Sequence, residues 1–531
     1  MVRFVIVALV ATVTHAATPL AQCIADLTAL MGSDNVITSA PAIPPAYNKL
    51  YNTYVPAAMV TPRSGVEVAS ILNVADKHGV TVAVRSFAGH SYIGQSTIGG
   101  DGIVMNLEKL DSVDVAQDAG TGEYFARIGA GLPLIEVYSR LAMNAPPLGL
   151  NGGTCPSVGL SGLVSGGGEG MTSTFGGITS DRLVSAKAVV WTDSGKYEEV
   201  EAPEELLFAL RGGMGGNYGV VTEWRMQAFA VSNVVLYSSK TRPMVSGTDD
   251  PAVRKMVRAY TAWMRALPET TSVWGMVKFL SSGVVQFLGQ CLCQHASCSE
   301  CVAAVEEMQG TILASTRSAY EVQDFGKAMW SWGGCTDWGG IEAYPSGGLV
   351  GISLEALRKA TAVCMAYDHE QLSGPYKSKS LYMPDEGTLD GGFEATALRL
   401  VTKEPACAAG RCFIQLSFVG GAMTEEHPNS AFVHRAPGWH LQVLVYWDAS
   451  QDATQYEAWS QQAREAFLGM SIGESYQNYP DSDLDASVWA KEFFPRAGIF
   501  PRLIELKCKY NPKPVMDVPH SLAWMIPRVC S

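Results

Sequence analysis

Residues 149–170 constrain this chain more than any other stretch. Glycine recurs at Gly149, Gly152, Gly153, Gly159, Gly162, Gly166, Gly167, Gly168 and Gly170, and Glu169 is the only charge among them. Glycine permits positive φ and lets main-chain N–H groups lie close against a ligand. A flexible linker is the alternative. However, Val158, Leu160, Leu163 and Val164 are interleaved as buried residues would be, and there is no Ser/Gly repeat. A folded cradle for a phosphate or a cofactor fits better. It is not a P-loop, because no Gly-Lys-Ser/Thr closes it, nor does it carry the Gly-x-Gly-x-x-Gly of a dinucleotide fold.

At 531 residues the chain is long enough for two domains. A hydrophobic content of 47% with 17% charged residues describes a compact globular protein. The net charge of -13 argues against nucleic acid or an anionic membrane as partner and favours neutral or cationic ligands. Residues 1–17 read as a secretory signal: Arg3, an apolar run at 4–13, then the small-residue exit Thr14-His15-Ala16-Ala17. An N-terminal core strand would need neither Arg3 nor that exit. No other stretch has the roughly 18 uninterrupted apolar residues of a membrane helix, so the expectation is a soluble, extracellular protein. Twelve cysteines then favour disulfides. Cys291, Cys293, Cys298 and Cys301 form a cluster that zinc also takes, but the spacing is not that of a zinc ribbon, and no metal site is expected. Which cysteines pair stays open. There is no Asn-x-Ser/Thr sequon.

In chain order, Ser64-Gly65-Val66-Glu67 has the form of a capping box. It precedes Val68, Ile71, Leu72 and Ala75 on one helical face, with Gly79 as the stop. Val80, Val82 and Val84 alternate as a strand that delivers Arg85-Ser86-Phe87-Ala88-Gly89-His90-Ser91. Strands are expected at 103–107, 124–129 and 186–192, with helices at 132–142 and 204–210. A second glycine cluster, 211–219, precedes a strand at 220–229, so two glycine loops hold one ligand between them. After about residue 231 glycine thins and aromatic residues spread through alternating strands such as 413–418 and 441–447, with helices such as 456–467. The expected organisation is a leader at 1–17, a first domain at 18–230, a second at 231–472 and a return to the first at 473–531.

Five collinear pieces together resemble the berberine-bridge-enzyme-like group of FAD-linked oxidases, which have the vanillyl-alcohol-oxidase type of flavin fold. They are Arg85-Ser86 with Gly89-His90-Ser91, Cys155-Pro156-Ser157-Val158-Gly159, Ser165-Gly166-Gly167-Gly168, Arg211-Gly212-Gly213 through Gly219-Val220-Val221, and Tyr476-Gln477-Asn478-Tyr479. The resemblance covers residues 45–525. It implies an α+β fold: a two-part FAD-binding domain built from both ends of the chain, and a substrate domain whose antiparallel sheet is backed by helices. It places the covalent attachments of FAD on His90 and Cys155, where a lone histidine or cysteine would otherwise read as a satisfied loop residue or half of a disulfide. Arg85, Ser86, Gly89, Ser91, Val158, Gly159, Ser165, Gly166, Gly167, Gly168, Gly219, Val221 and Asn478 are the other cofactor positions. With Cys155 committed to flavin, eleven cysteines remain and at least one stays unpaired. Cys23 is the candidate, because Val74 stands near where the group often supplies its partner.

The same resemblance assigns catalysis. Tyr479 falls at the base or base-activated phenol, Gln415 and Gln442 at the substrate-side glutamines of sugar-oxidising members, and Val158 at the position governing oxygen access. A tyrosine with an ordinary pKa of about 10 needs a cation or a hydrogen-bond network to work near neutrality. Two departures stand out. Glu169 replaces a tyrosine common in sugar oxidisers, and Ser417 stands where relatives carry an acidic helper. Glu169 either takes over that carboxylate role from the opposite side of the pocket or pairs with a nearby cation. Trp330, Trp332 and Trp338 are a stacking platform for sugar rings or buried packing. The expected activity is oxidation of an alcohol or anomeric carbon of a carbohydrate, with O2 giving hydrogen peroxide. The alternatives are oxidation of a phenolic or alkaloid-like metabolite, electron transfer to another acceptor, and a flavin-loaded binding protein with little turnover.

Overall fold

The computed structural model describes residues 18–231, 233–243, 250–268, 271–293, 297–372, 374–385, 392–409, 411–518 and 530. The expected leader at 1–17 lies outside them.

Three sheets organise the chain. In the first, strands Val36–Ile37, Ala58–Val60, Ile103–Asn106 and Val82–Arg85 lie in that spatial order, the last three parallel. Parallel strands need a crossover, and the helix Gly65–His78 supplies the one into Val82–Arg85. Its start is set by Ser64, whose hydroxyl accepts from the Glu67 amide at 3.3 Å. The Glu67 carboxylate takes the Arg63 amide at 2.7 Å, one residue earlier than a capping box prescribes. The second sheet is antiparallel: Val113–Gln117, Tyr124–Gly129, Val220–Ala230, Leu183–Trp191, Tyr197–Glu201, with Leu148–Gly149 paired to the end of Val220–Ala230. One large core joins both sheets through Val68, Ile71, Leu72, Trp224 and Met226. Trp489, Phe493 and Leu503, from the C-terminal helices Ala486–Phe493 and Ile499–Tyr510, join the same core.

The third sheet has seven antiparallel strands in the order Arg317–Asp324, Asn233–Lys240, Val285–Leu292, Val273–Leu280, Arg411–Val419, Gly438–Tyr446, Tyr376–Pro384. Side chains alternate across a strand. Val277, Phe279, Ile414, Leu416, Leu441 and Val443 therefore share one face and are buried in a core with residues of the helices Pro251–Ala266, Phe393–Thr402 and Thr454–Leu468. The opposite face carries Lys278 paired with Gln415, Gln415 with Gln442, and Ser417 with His440. Gln415, Ser417, His440 and Gln442 are all buried. A sheet face that is both buried and polar needs partners, and here Gln442 meets Tyr92 and His440 meets Glu169.

Five disulfides join Cys291 to Cys301, Cys293 to Cys298, Cys335 to Cys364, Cys407 to Cys412 and Cys508 to Cys530. Cys23 and Cys155 are left free, so the four-cysteine cluster is two disulfides. Burial pushes the Cys23 thiol up to about 11.

A buried charge cluster pins the segment that carries Tyr479. The Lys379 ammonium lies 2.6 Å from Asp481 and 2.5 Å from Asp483, and Lys377 lies 2.7 Å from Asp483. Burial pushes the Asp483 carboxyl up, but the Lys379 and Lys377 cations outweigh it and hold it down at about 2. Its folded value is below the ordinary value of about 4. The stability it contributes is therefore present above about pH 4 and is lost as the pH falls through about 2. Denaturant midpoints should fall between pH 5 and pH 2.5, and Asp483→Asn should flatten part of that fall. A variant with the wild-type acid slope would remove Asp483 from the account.

Candidate active site

Strand Val82–Arg85 ends at a buried arginine that shapes the loop after it. Arg85 Nε donates to the Ser96 carbonyl at 3.2 Å and Nη1 to the Pro44 carbonyl at 2.8 Å. Burial pushes the guanidinium down to about 10. Arg85 thus folds the loop onto itself. Ser86 ties the loop to the second sheet by donating to the Ala130 carbonyl at 2.6 Å. Within the loop, Ser91 Oγ accepts from the Gln95 amide at 3.2 Å.

The His90 ring stacks on Tyr47, with centroids 3.8 Å apart and planes 17° from parallel, and its Nδ1 lies 3.5 Å from Ser157 Oγ. Ser157 donates to Asp368 at 2.5 Å, and Tyr47 donates to the same oxygen at 3.3 Å. Asp368 comes from the helix Leu354–Leu372, so a distant part of the chain backs the His90 loop. Burial, then His369, pushes His90 down to about 3. Burial, then the Asp368 charge, pushes the Cys155 thiol up to about 12. Burial pushes Asp368 up to about 6 against the hydrogen bonds from Ser157 and Tyr47.

Most of the glycine stretch is packed loop. A Cβ on Gly170 would lie 1.7 Å from the Gly152 carbonyl oxygen. On Gly168, whose φ is +92°, it would lie 2.3 Å from Thr179 Oγ1. Only glycine fits either place. The amides of Gly168 and Glu169 donate to the Tyr476 hydroxyl at 3.0 and 2.8 Å, and Asn478 Nδ2 donates to it at 2.9 Å. Asn478 also donates to the Leu163 carbonyl at 2.9 Å, and a Cβ on Gly166 would lie 2.1 Å from its Oδ1. Gly166–Gly168 are therefore clamped from the C-terminal segment.

Glu169 projects from this loop. The Tyr382 hydroxyl donates to Glu169 Oε1 at 2.5 Å, and His440 Nδ1 lies 2.7 Å from Oε2. Among the described residues its partners are thus a phenol and an imidazole, with no lysine or arginine. Tyr479 lies in tilted contact with Tyr92, centroids 4.9 Å apart. Gln442 Nε2 donates to Tyr92 at 3.0 Å, while Gln415 Nε2 donates to Ser417 Oγ at 2.9 Å. Burial, followed by Tyr92, Tyr476 and Glu169, holds the Tyr479 phenol well above its ordinary value.

A cavity of about 270 Å³ connects these parts. Ser86, Gly89, His90, Ser91, Cys155, Val158, Gly159, Ser165, Glu169, Gly219, Val221, Asn478 and Tyr479 all line it. Arg85, Gly166, Gly167, Gly168, Gln415 and Gln442 are not in its wall. Tyr92, His440, Tyr382 and Asp368 carry no motif in the sequence. Tyr92, two residues after His90, was the one within reach of local reading. The tryptophans also stand outside the wall. Trp330 is fully buried and donates to Ser139 at 2.9 Å, and Trp332 donates to Gln290 at 2.7 Å, so packing and hydrogen bonding account for both.

The cavity suits a flavin dinucleotide. Its lining runs from Val518 and Met516 to Tyr479 across both glycine loops. Gly162 and Gly216 line it, and among the described residues nothing beyond their own local backbone lies within 4 Å of where a Cβ would stand, which leaves two bare backbone walls for a ligand to fill. Comparisons agree. A family described as FAD binding domain matches residues 56–201. Chitooligosaccharide oxidase of Gibberella zeae is 26% identical over 492 residues, covering 90% of this chain and 89% of that protein. Berberine bridge enzyme-like 23 of Arabidopsis thaliana is 31% identical over 191 residues, 36% of this chain, and the match spans only 35% of that relative. The structure of Physcomitrella patens BBE-like 1 superposes with a TM-score of 0.75 at 21% identity, covering 96% of this chain and 99% of that one. Fold and cavity define an FAD-binding oxidoreductase. Across the matched length, the chain is similar to the berberine-bridge-enzyme-like FAD-linked oxidases.

Proposed function

We propose that this is an exported oxidase that takes hydride from an alcohol or anomeric carbon of a carbohydrate and returns the electrons to O2 as hydrogen peroxide. The observation that carries the reading is the convergence of His90, Cys155 and Tyr479 on one cavity, beside the buried polar face that carries Gln415 and Gln442. When bound, FAD supplies the two-electron acceptor. His90 and Cys155 would hold it covalently. Their surroundings disfavour imidazolium and thiolate, whereas an imidazole or sulfur bonded to carbon carries no charge, so this buried place suits both linkages. Ser86, Gly89, Ser91, Val158, Gly159, Ser165, Gly219, Val221 and Asn478 would line the ring system and the chain behind it. Tyr479 and Tyr92 orient the donor hydroxyl, and Gln442 fixes Tyr92. Val158, small and at the cavity wall, leaves a path for O2.

A neutral polar donor fits a cavity whose charged lining is Glu169 alone, and a full-length relative is named for chitooligosaccharide oxidation. Export fits five disulfides among the described cysteines. The test is anaerobic addition of a donor panel to the yellow protein. Neutral oligosaccharides with a free anomeric hydroxyl should bleach the flavin and, in air, release peroxide. Bleaching by aryl alcohols alone would move the substrate to phenolic metabolites. Unchanged colour across the whole panel would overturn the oxidase reading in favour of a binding protein.

A further inference from the structure

His440 stands on strand Gly438–Tyr446, two residues before Gln442 and directly opposite Ser417 and Tyr382 on the flanking strands, behind the cavity-lining Glu169 and Tyr479. Its ring is sandwiched by two phenols, Tyr382 at 4.9 Å and 25° and Tyr479 at 5.1 Å and 24°, with Tyr476 edge-on at 5.1 Å. The Tyr382 hydroxyl satisfies one oxygen of Glu169, and His440 Nδ1 meets the other. A carboxylate only accepts, so Nδ1 carries the hydrogen, and in the neutral ring Nε2 holds a bare lone pair. That Nε2 is buried, and among the described residues nothing hydrogen-bonds to it. Native proteins rarely leave such an atom without a partner, and one left so is accounted for by a ligand, a water, strain or chemistry.

We propose that His440 Nε2, with Nδ1–H held by Glu169, is the proton acceptor for the donor hydroxyl, and that Tyr382 is a positioning residue acting through Glu169. The inference rests on the oxidase reading and names the base of that same site. The groups facing the imidazole are Glu169 from the glycine loop, Tyr382 and Ser417 from the neighbouring strands, and Tyr476 and Tyr479 from the C-terminal segment. Beyond Tyr382, His434 pairs with Glu474 at 2.6 Å. Tyr479 is the less suited acceptor, because its buried surroundings disfavour the phenolate. His440 has a carboxylate in place to balance the charge it gains, as in other histidine–carboxylate pairs. The donor O–H bond breaks and its proton goes to Nε2. The oxygen electron pair closes a C=O bond, and hydride leaves the same carbon for oxidised flavin. The two electrons and two protons then leave with O2 as hydrogen peroxide, Nε2 returning its proton.

The test uses the holoenzyme and the best donor of the panel. His440→Asn keeps an N–H toward Glu169 and deletes Nε2. It should slow anaerobic flavin reduction by about 10²–10⁴-fold at neutral pH, the usual contribution of a general base. KM should stay within about threefold, and the loss should shrink as hydroxide takes over at high pH. Glu169→Gln should slow reduction less and shift the pH profile. Independently of turnover, nitrogen NMR of imidazole-labelled wild-type protein should show Nδ1 protonated and Nε2 bare at neutral pH. His440→Asn reducing flavin within about threefold of wild type, or wild-type Nε2 found protonated at neutral pH, overturns the inference alone. If His440→Asn does not fold, the wild-type NMR decides. A wild-type flavin that no donor bleaches removes the oxidase reading and this inference together.

Discussion

The double variant His90→Ala, Cys155→Ala should surrender its colour to the supernatant on acid precipitation, whereas wild type and both single variants should keep it in the pellet. The expectation follows from where the two side chains sit. His90 is pressed against Tyr47 and backed by Ser157 and Asp368 on one loop, and Cys155 reaches the same cavity from another. Either tether alone would prevent loss of the flavin, so only removal of both would give an all-or-none change. Peptide mass spectrometry should find a flavin-derived mass on both residues in wild type and on the surviving one in each single variant. A wild-type pellet without colour would remove the covalent attachment while leaving the fold assignment untouched.

The second large effect concerns stability. Lys379→Met should cost about 3–5 kcal/mol of unfolding free energy, the usual price of stranding a buried charge. The Lys379 side chain is 2% exposed and its partner Asp481 5% exposed, so little water can replace the lost ammonium. Asp481 Oδ2 already has no hydrogen-bond partner among the described residues. Denaturant titration measures the loss, and adding Asp481→Asn should restore part of it. Lys379→Met within about 1 kcal/mol of wild type would mean that the cluster contributes no more than a surface pair. Because the cluster pins the segment carrying Tyr479, the variant should also bind donor more weakly.

Local chemistry was legible where a residue's role depends on its neighbours in sequence. Ser64 and Gly79 bracket the helix Gly65–His78, and the strands Ile103–Asn106, Tyr124–Gly129 and Val220–Ala230 fall where alternation placed them. The glycines of 149–170 marked close backbone approach, although at Gly168 and Gly170 what approaches is Thr179 and Gly152. Reading failed where a role depends on strand register or on distant segments. Spacing could not say that Cys291 pairs with Cys301 around Cys293–Cys298, because pairing follows the way Val285–Leu292 meets Ser299–Thr311. Of the two expectations for Glu169, neither named its partners. His440 and Tyr382 become its neighbours only when two strands pair in register.

The hydroxyl that holds the amides of Gly168 and Glu169 belongs to Tyr476, separated from Gly168 by 308 positions. On the ribosome, the glycine loop emerges when most of the message is still unread, and the atom that sets its shape arrives near the close of translation. Cofactor capture is therefore a late event of biogenesis. A product truncated before Tyr476 would contain nearly every strand of the sheets and still have no firm seat for its flavin.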